Sequence, residues 1–150
     1  MDELIQKILV NISKITNQTS FSEPFFEMVL NRLVSFNVQL KEDDSWMIAF
    51  AIQKVENHIK NSCNITEIPI GLYELATDKV CGEFLLTKLQ TGQLNISELD
   101  FSGIVKSIQE GDTTVQFDSG ASDTDKIQLL INGLINGSEG DLVCYRKIKW

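Results

Sequence analysis

Up to Gln90 the apolar residues of this chain recur mainly at intervals of three and four, the spacing of one face of an α-helix rather than of a strand. Leu4, Ile5, Ile8, Leu9, Ile12 and Ile15 make one such stripe over Asp2 to Ile15, which Asn17-Gln-Thr-Ser20 ends. Ser22-Glu-Pro24 reads as an N-cap followed by a first-turn proline, where the missing N–H costs nothing. The helix that follows runs to about Phe36, with Phe25, Phe26, Val29, Leu30, Leu33 and Phe36 inside. Residues 37–41 connect it to a third helix. Asp43-Asp44-Ser45 offers cap candidates and negative charge at that N-terminus. The third helix is expected to reach about Asn61, turning Trp46, Ile48, Ala49, Ile52, Val55 and Ile59 inward and Lys54, Glu56 and Lys60 to water.

Asn61-Ser-Cys-Asn64 breaks this helix, and Pro69 forces Ile68 into an extended conformation. A fourth helix starts near Ile70 or Leu72 and carries Leu72, Leu75, Ala76, Val80, Phe84 and Leu86 to about Gln90, where Thr91-Gly92 closes it. Gly82 inside it lets a neighbouring helix approach closely. The third and fourth helices are expected to share a core of Trp46, Ile52, Val55, Ile59, Leu75, Val80 and Phe84.

Beyond Gly92 the composition shifts. Residues 97–141 hold nine acidic side chains, two lysines and six glycines. Ile104-Val-Lys-Ser-Ile108, the turn Glu110-Gly-Asp112 and the alternating Thr113-Thr-Val-Gln-Phe117 predict a β-hairpin over 104–117. Ser119 to Ser122 is a joint, and Asp123 to Asn136 a short helix with Ile127, Leu130, Ile131 and Leu134 on one side. Gly137-Ser-Glu-Gly140 then leads to the basic, aromatic Tyr145-Arg-Lys-Ile-Lys-Trp150. The expectation is a mainly α fold: a small helical bundle with a β-hairpin excursion and a short C-terminal helix and tail. It is one domain over 1–150, divided into an N-terminal helix (1–20), a helical core (22–92), an acidic hairpin region (97–122) and the C-terminal helix and tail (123–150). The last part is too poor in large apolar residues to fold alone, so it folds back or is completed by a neighbour.

Charge and chemistry narrow the function. With 13 Lys and Arg against 21 Asp and Glu, a net charge of −8, the chain lacks the broad cationic surface of a nucleic-acid-binding domain. The Met-Asp-Glu start has no basic n-region, and no apolar run nears the roughly 18 residues of a membrane span, so a reducing cytoplasm is expected. Cys63, Cys81 and Cys144 are odd in number and lack CxxC spacing, fitting neither a disulfide framework nor a zinc site; they read as buried thiols. His58 is the sole histidine. On a helix it would stand roughly 140° from Cys63, which disfavours a nucleophile–base pair. GxSxG, SxxK, Walker and GxGxxG motifs are missing, and the Asn-x-Ser/Thr matches at Asn11, Asn17, Asn64, Asn95 and Asn136 read as chance. No enzyme and no cofactor is expected.

The stretch Asp44 to Pro69, containing Lys54-Val-Glu-Asn-His-Ile-Lys60 and Cys63-Asn-Ile-Thr-Glu-Ile-Pro69, resembles the head-tail connector (adaptor) proteins of long-tailed bacteriophages and prophages of Firmicutes. Val80-Cys-Gly-Glu-Phe-Leu85, Ile108-Gln-Glu-Gly-Asp-Thr-Thr-Val115, Leu129-Leu-Ile-Asn132 and Tyr145-Arg-Lys-Ile-Lys-Trp150 resemble successive blocks of that family, in order, so the resemblance spans roughly Glu23 to Trp150. Asp2 to Ile15 is additional to the family's usual start. The resemblance implies a virion subunit that forms a ring of about twelve copies beneath the portal protein, extends the DNA channel and docks a stopper or tail-completion protein. Double-stranded DNA carries about one negative charge per 1.7 Å, so an acidic ring would let it pass without specific binding. The expected assembly interface is the hairpin (Val105, Ile108, Thr113, Val115, Phe117) and the tail (Tyr145, Arg146, Lys147, Trp150), because strand edges pair and aromatic and Arg residues anchor interfaces. The alternative is a small acidic regulatory protein that binds another protein through its helices.

Overall fold

In a computed structural model of the chain, residues 2–16, 19–99 and 123–148 are described. Among them are five α-helices: α1 (Asp2–Ile15), α2 (Glu23–Ser35), α3 (Ser45–Cys63), α4 (Tyr73–Gln90) and α5 (Asp123–Asn136). Short 3-10 segments cover Glu42–Asp44, Ile70–Leu72, Ile96–Glu98 and Glu139–Tyr145. The helical expectation therefore holds, and no strand occurs among the described residues. The hairpin expected at 104–117 lies outside them.

Three helices end in the same way. Asn37 (φ 62°), Asn64 (φ 53°) and Gly92 (φ 70°) adopt the left-handed conformation after α2, α3 and α4. In each case the next amide turns back onto the last helical turn: Val38 donates to the Leu33 carbonyl at 3.2 Å, Ile65 to Lys60 at 3.2 Å and Gln93 to Lys88 at 2.9 Å. Glycine reaches this conformation freely, and asparagine is among the few other residues that tolerate it. At the start of α2, Ser22 has the extended backbone of an N-cap, but its side chain makes no capping bond. Its carbonyl instead accepts from Phe25 N at 3.0 Å.

The helices share one apolar core. All six expected positions of α2 are buried, and so are Ile127, Leu130, Ile131 and Leu134 of α5. α1 packs along α3, burying Ile5, Ile8 and Ile12. Asn11 Nδ2 donates to Ser45 Oγ across that contact at 3.1 Å. α4 lies between α2, α3 and α5. Gly82 permits the last of these contacts as expected, since a Cβ there would stand 2.7 Å from Ile135 Cγ1 and 3.2 Å from the Ile135 amide.

Two assignments on α3 are corrected. Trp46 is 42% exposed rather than part of the core, whereas Ile52, Val55, Ile59, Leu75, Val80 and Phe84 are buried as expected. Glu56, expected in water, is 1% exposed. Helix geometry gives the reason. Trp46, Phe50, Lys54, Asn57 and Asn61 occupy one exposed sector, while Glu56, two residues from Lys54, points roughly 160° away from it. Among the described residues, no helix is long and apolar enough to cross a membrane.

Candidate functional site

Residues 139–148, the 3-10 segment Glu139–Tyr145 and the non-helical residues 146–148 beyond it, form a strap across α3 and the Ile70–Leu72 turn that precedes α4. Leu142 anchors it in the core. Its backbone is tied to the end of α3: Lys147 N donates to the Cys63 carbonyl at 2.7 Å, and Asn64 Nδ2 donates to the Lys147 carbonyl at 3.1 Å. Cys63 Sγ faces the Leu142 carbonyl at 3.5 Å. The Tyr145 ring lies over Gly71, where any side chain would run into its phenol.

A polar clamp holds the front of the strap. One oxygen of Glu139, Oε1, accepts from Lys79 Nζ and from His58 Nε2, both at 2.7 Å. Lys79 is 3% exposed and also donates to the Ile135 carbonyl near the end of α5, so one ammonium joins α4, α5 and the strap. Burial pushes the Glu139 carboxyl up, but the hydrogen bonds and charges of Lys79 and His58 outweigh this, and the net shift is below the ordinary carboxylate value. His58 thus meets Glu139 rather than Cys63, and no nucleophile–base pair arises between them.

Two further ionic clusters fix other joints. Glu56 accepts from Gln53 Nε2 at 2.7 Å, from Lys60 Nζ at 3.1 Å and from the Ser20 amide, holding the α1–α2 connection on α3. Asp44, at the start of α3, pairs with Lys88 Nζ at 2.5 Å near the end of α4, and both side chains are buried. Of these buried charges, local sequence pattern places only Asp44, at the helix N-terminus. Their only signal is a charged residue inside an otherwise apolar sector.

Between α2, α4 and the strap lies an open groove of about 930 Å³. Glu74, Asp78, Asp141 and Arg32 are its charged lining residues; Met28, Leu75, Cys144 and Tyr145 also contribute. Arg32 and Asp78 form an ion pair at 3.1 Å. Cys144 is exposed, correcting the expectation of three buried thiols. Cys63 and Cys81 are buried, and burial pushes both thiols up, which suppresses their reactivity. Among the described residues, no group of three or more His, Cys, Asp or Glu side chains is arranged to hold a metal ion.

Of the expected interface, Tyr145 is half-buried against the core, while Arg146 and Lys147 are exposed. Val105, Ile108, Thr113, Val115, Phe117 and Trp150 lie outside the described residues. A second surface feature is the exposed pair Trp46 and Phe50, with ring centroids 5.7 Å apart and Lys14 Nζ 5.5 Å from the Trp46 ring. Comparison with protein families, curated proteins and solved structures finds no match to this chain.

Proposed function

We propose that this chain is a head-tail connector subunit, a ring-forming virion protein that binds a portal protein on one face and a stopper or tail-completion protein on the other. The observation that carries the reading is how the resembling blocks meet in space. Cys63 contacts Leu142 and Lys147, and Gly82 of the block at 80–85 packs against α5, which contains the block at 129–132. Among the described residues, blocks far apart in sequence thus lie in one packed unit, while the block at 108–115 is outside them. The strap then presents Arg146, Lys147 and Ile148 to solvent at the edge of an acidic subunit, as a peripheral docking element requires. Such a subunit acts in the host cytoplasm during assembly and at the head-tail interface of the virion afterwards.

The test is co-sedimentation of the purified chain with portal-bearing heads from the same genome. Stoichiometric recruitment is expected, with a marked loss when the chain is cut after Tyr145. Cutting there keeps Leu142 and Tyr145, so the helical fold survives. No recruitment of the full chain sinks the connector reading. The exposed Trp46 and Phe50 favour the second reading, a regulatory protein that binds another protein through α3. In that case Trp46→Ala, and not the truncation, abolishes partner capture.

A further inference from the structure

We infer that the groove between α2, α4 and the strap receives the Arg146-Lys147-Ile148 segment of a second copy of this chain, making a head-to-tail contact. The groove and the segment are complementary. Beyond the Arg32–Asp78 pair, Glu74 and Asp141 add two carboxylates to the lining of the groove, and Met28 and Leu75 add apolar surface. Among the described residues Glu74 and Asp141 have no ion-pair partner, since Arg32 pairs with Asp78. The segment carries two cations, equally without ion-pair partners among the described residues, followed by Ile148 at 78% exposure. The groove is open to solvent, and its volume of about 930 Å³ leaves room for a short segment to lie in it.

The described part of the tail does not fill the groove of its own chain. Tyr145 and Cys144 line it, but none of residues 146–148 does. The Lys147 backbone is bonded to Cys63 and Asn64, which directs the segment over the end of α3 instead. Among the described residues, the segment with matching charge and an apolar side chain is this one, offered by another copy. A contact that joins two different surfaces of identical chains is heterologous, and it propagates into a closed ring or an open filament. The inference rests on the ring-subunit reading and supplies the contact between neighbours.

The experiment is sedimentation velocity of the full chain at low and high salt, beside two charge-reversed variants. One carries Glu74→Lys with Asp141→Lys, and the other Arg146→Glu with Lys147→Glu. All four side chains are exposed, so both variants should keep the circular dichroism and Tm of the parent. The parent should self-associate, and either reversal, or high salt, should weaken association about tenfold or more. Mixing the variants should restore it, because each then offers a groove matched to the other's tail. A parent that stays monomeric throughout overturns the inference, as do variants that associate like the parent or a mixture that stays dissociated. Recruitment to portal-bearing heads is measured separately. Recruitment without self-association sinks this inference alone; self-association rescued by mixing, without recruitment, sinks the connector reading alone.

Discussion

α2 and α3 start from similar material, an apolar stripe with charged residues between, yet spacing predicts their inward faces unequally well. On α2 each of the six expected inward positions is buried, the C-cap Phe36 included. On α3, Trp46 lies outside and Glu56 inside. The difference is the number of neighbours. α2 packs mainly on α4, with a smaller contact to α1, whereas α3 is touched by α1, α4, the Glu42–Asp44 turn and the strap. A helix at the edge of a bundle needs one apolar face, which spacing reveals. A central helix buries most of its circumference, so some charged positions fall inside and must find partners there.

That contrast can be broken by mutation. The largest effects should come from truncating apolar side chains in either setting: Phe26→Ala on α2 and Phe84→Ala on α4 should each cost about 3–5 kcal/mol in chemical denaturation. A loss below about 1 kcal/mol at Phe84 would place it at the surface and undo the pairing of α3 with α4. Next, Lys88→Met should cost about 3 kcal/mol, because among the described residues it leaves buried Asp44 with the Lys41 amide, 2.8 Å from Oδ2, as its remaining partner. Replacing both partners by apolar residues should recover part of that loss. If the single change is neutral, buried charge is not what distinguishes the central helices.

The strap should respond to acid. The Glu139 carboxyl is held below its ordinary value of 4.5, so its contribution is fully present above that value and is lost as pH falls through the lower folded value. Hydrogen exchange at the Lys147 amide should therefore become less protected below about pH 4.5 before the α2 amides do, and Glu139→Gln should flatten that dependence. Equal loss in both regions would mean that the strap opens only with global unfolding. Smallest of all, Trp46→Ala should change stability by about 1 kcal/mol, since the residue is already 42% exposed. A core-sized loss would restore the position that spacing first suggested for it.

Thiol chemistry gives a covalent version of the same contrast. Cys144 should react at once with an aromatic disulfide reagent at neutral pH, while Cys63 and Cys81 should wait for denaturant. Immediate reaction of all three would show that the strap does not cover Cys63 in solution.

By itself the sequence determined where helices start and stop and which apolar residues face inward on helices at the edge. Those properties depend on local things: Pro24 near a helix start, left-handed residues at Asn64 and Gly92, and the angle between residues three or four apart. It also marked Gly82 as a place of close approach, because a missing side chain in a helix needs a packing reason. Only the tertiary structure decided that α5 is what approaches there, that Lys79 and His58 share Glu139, and that Glu56 belongs inside. It likewise decided that Tyr145 is half core while Arg146 and Lys147 stay in water. Such pairings join residues 36 to 81 positions apart, and no local pattern in a chain specifies which of several distant charges will be brought to a given buried one.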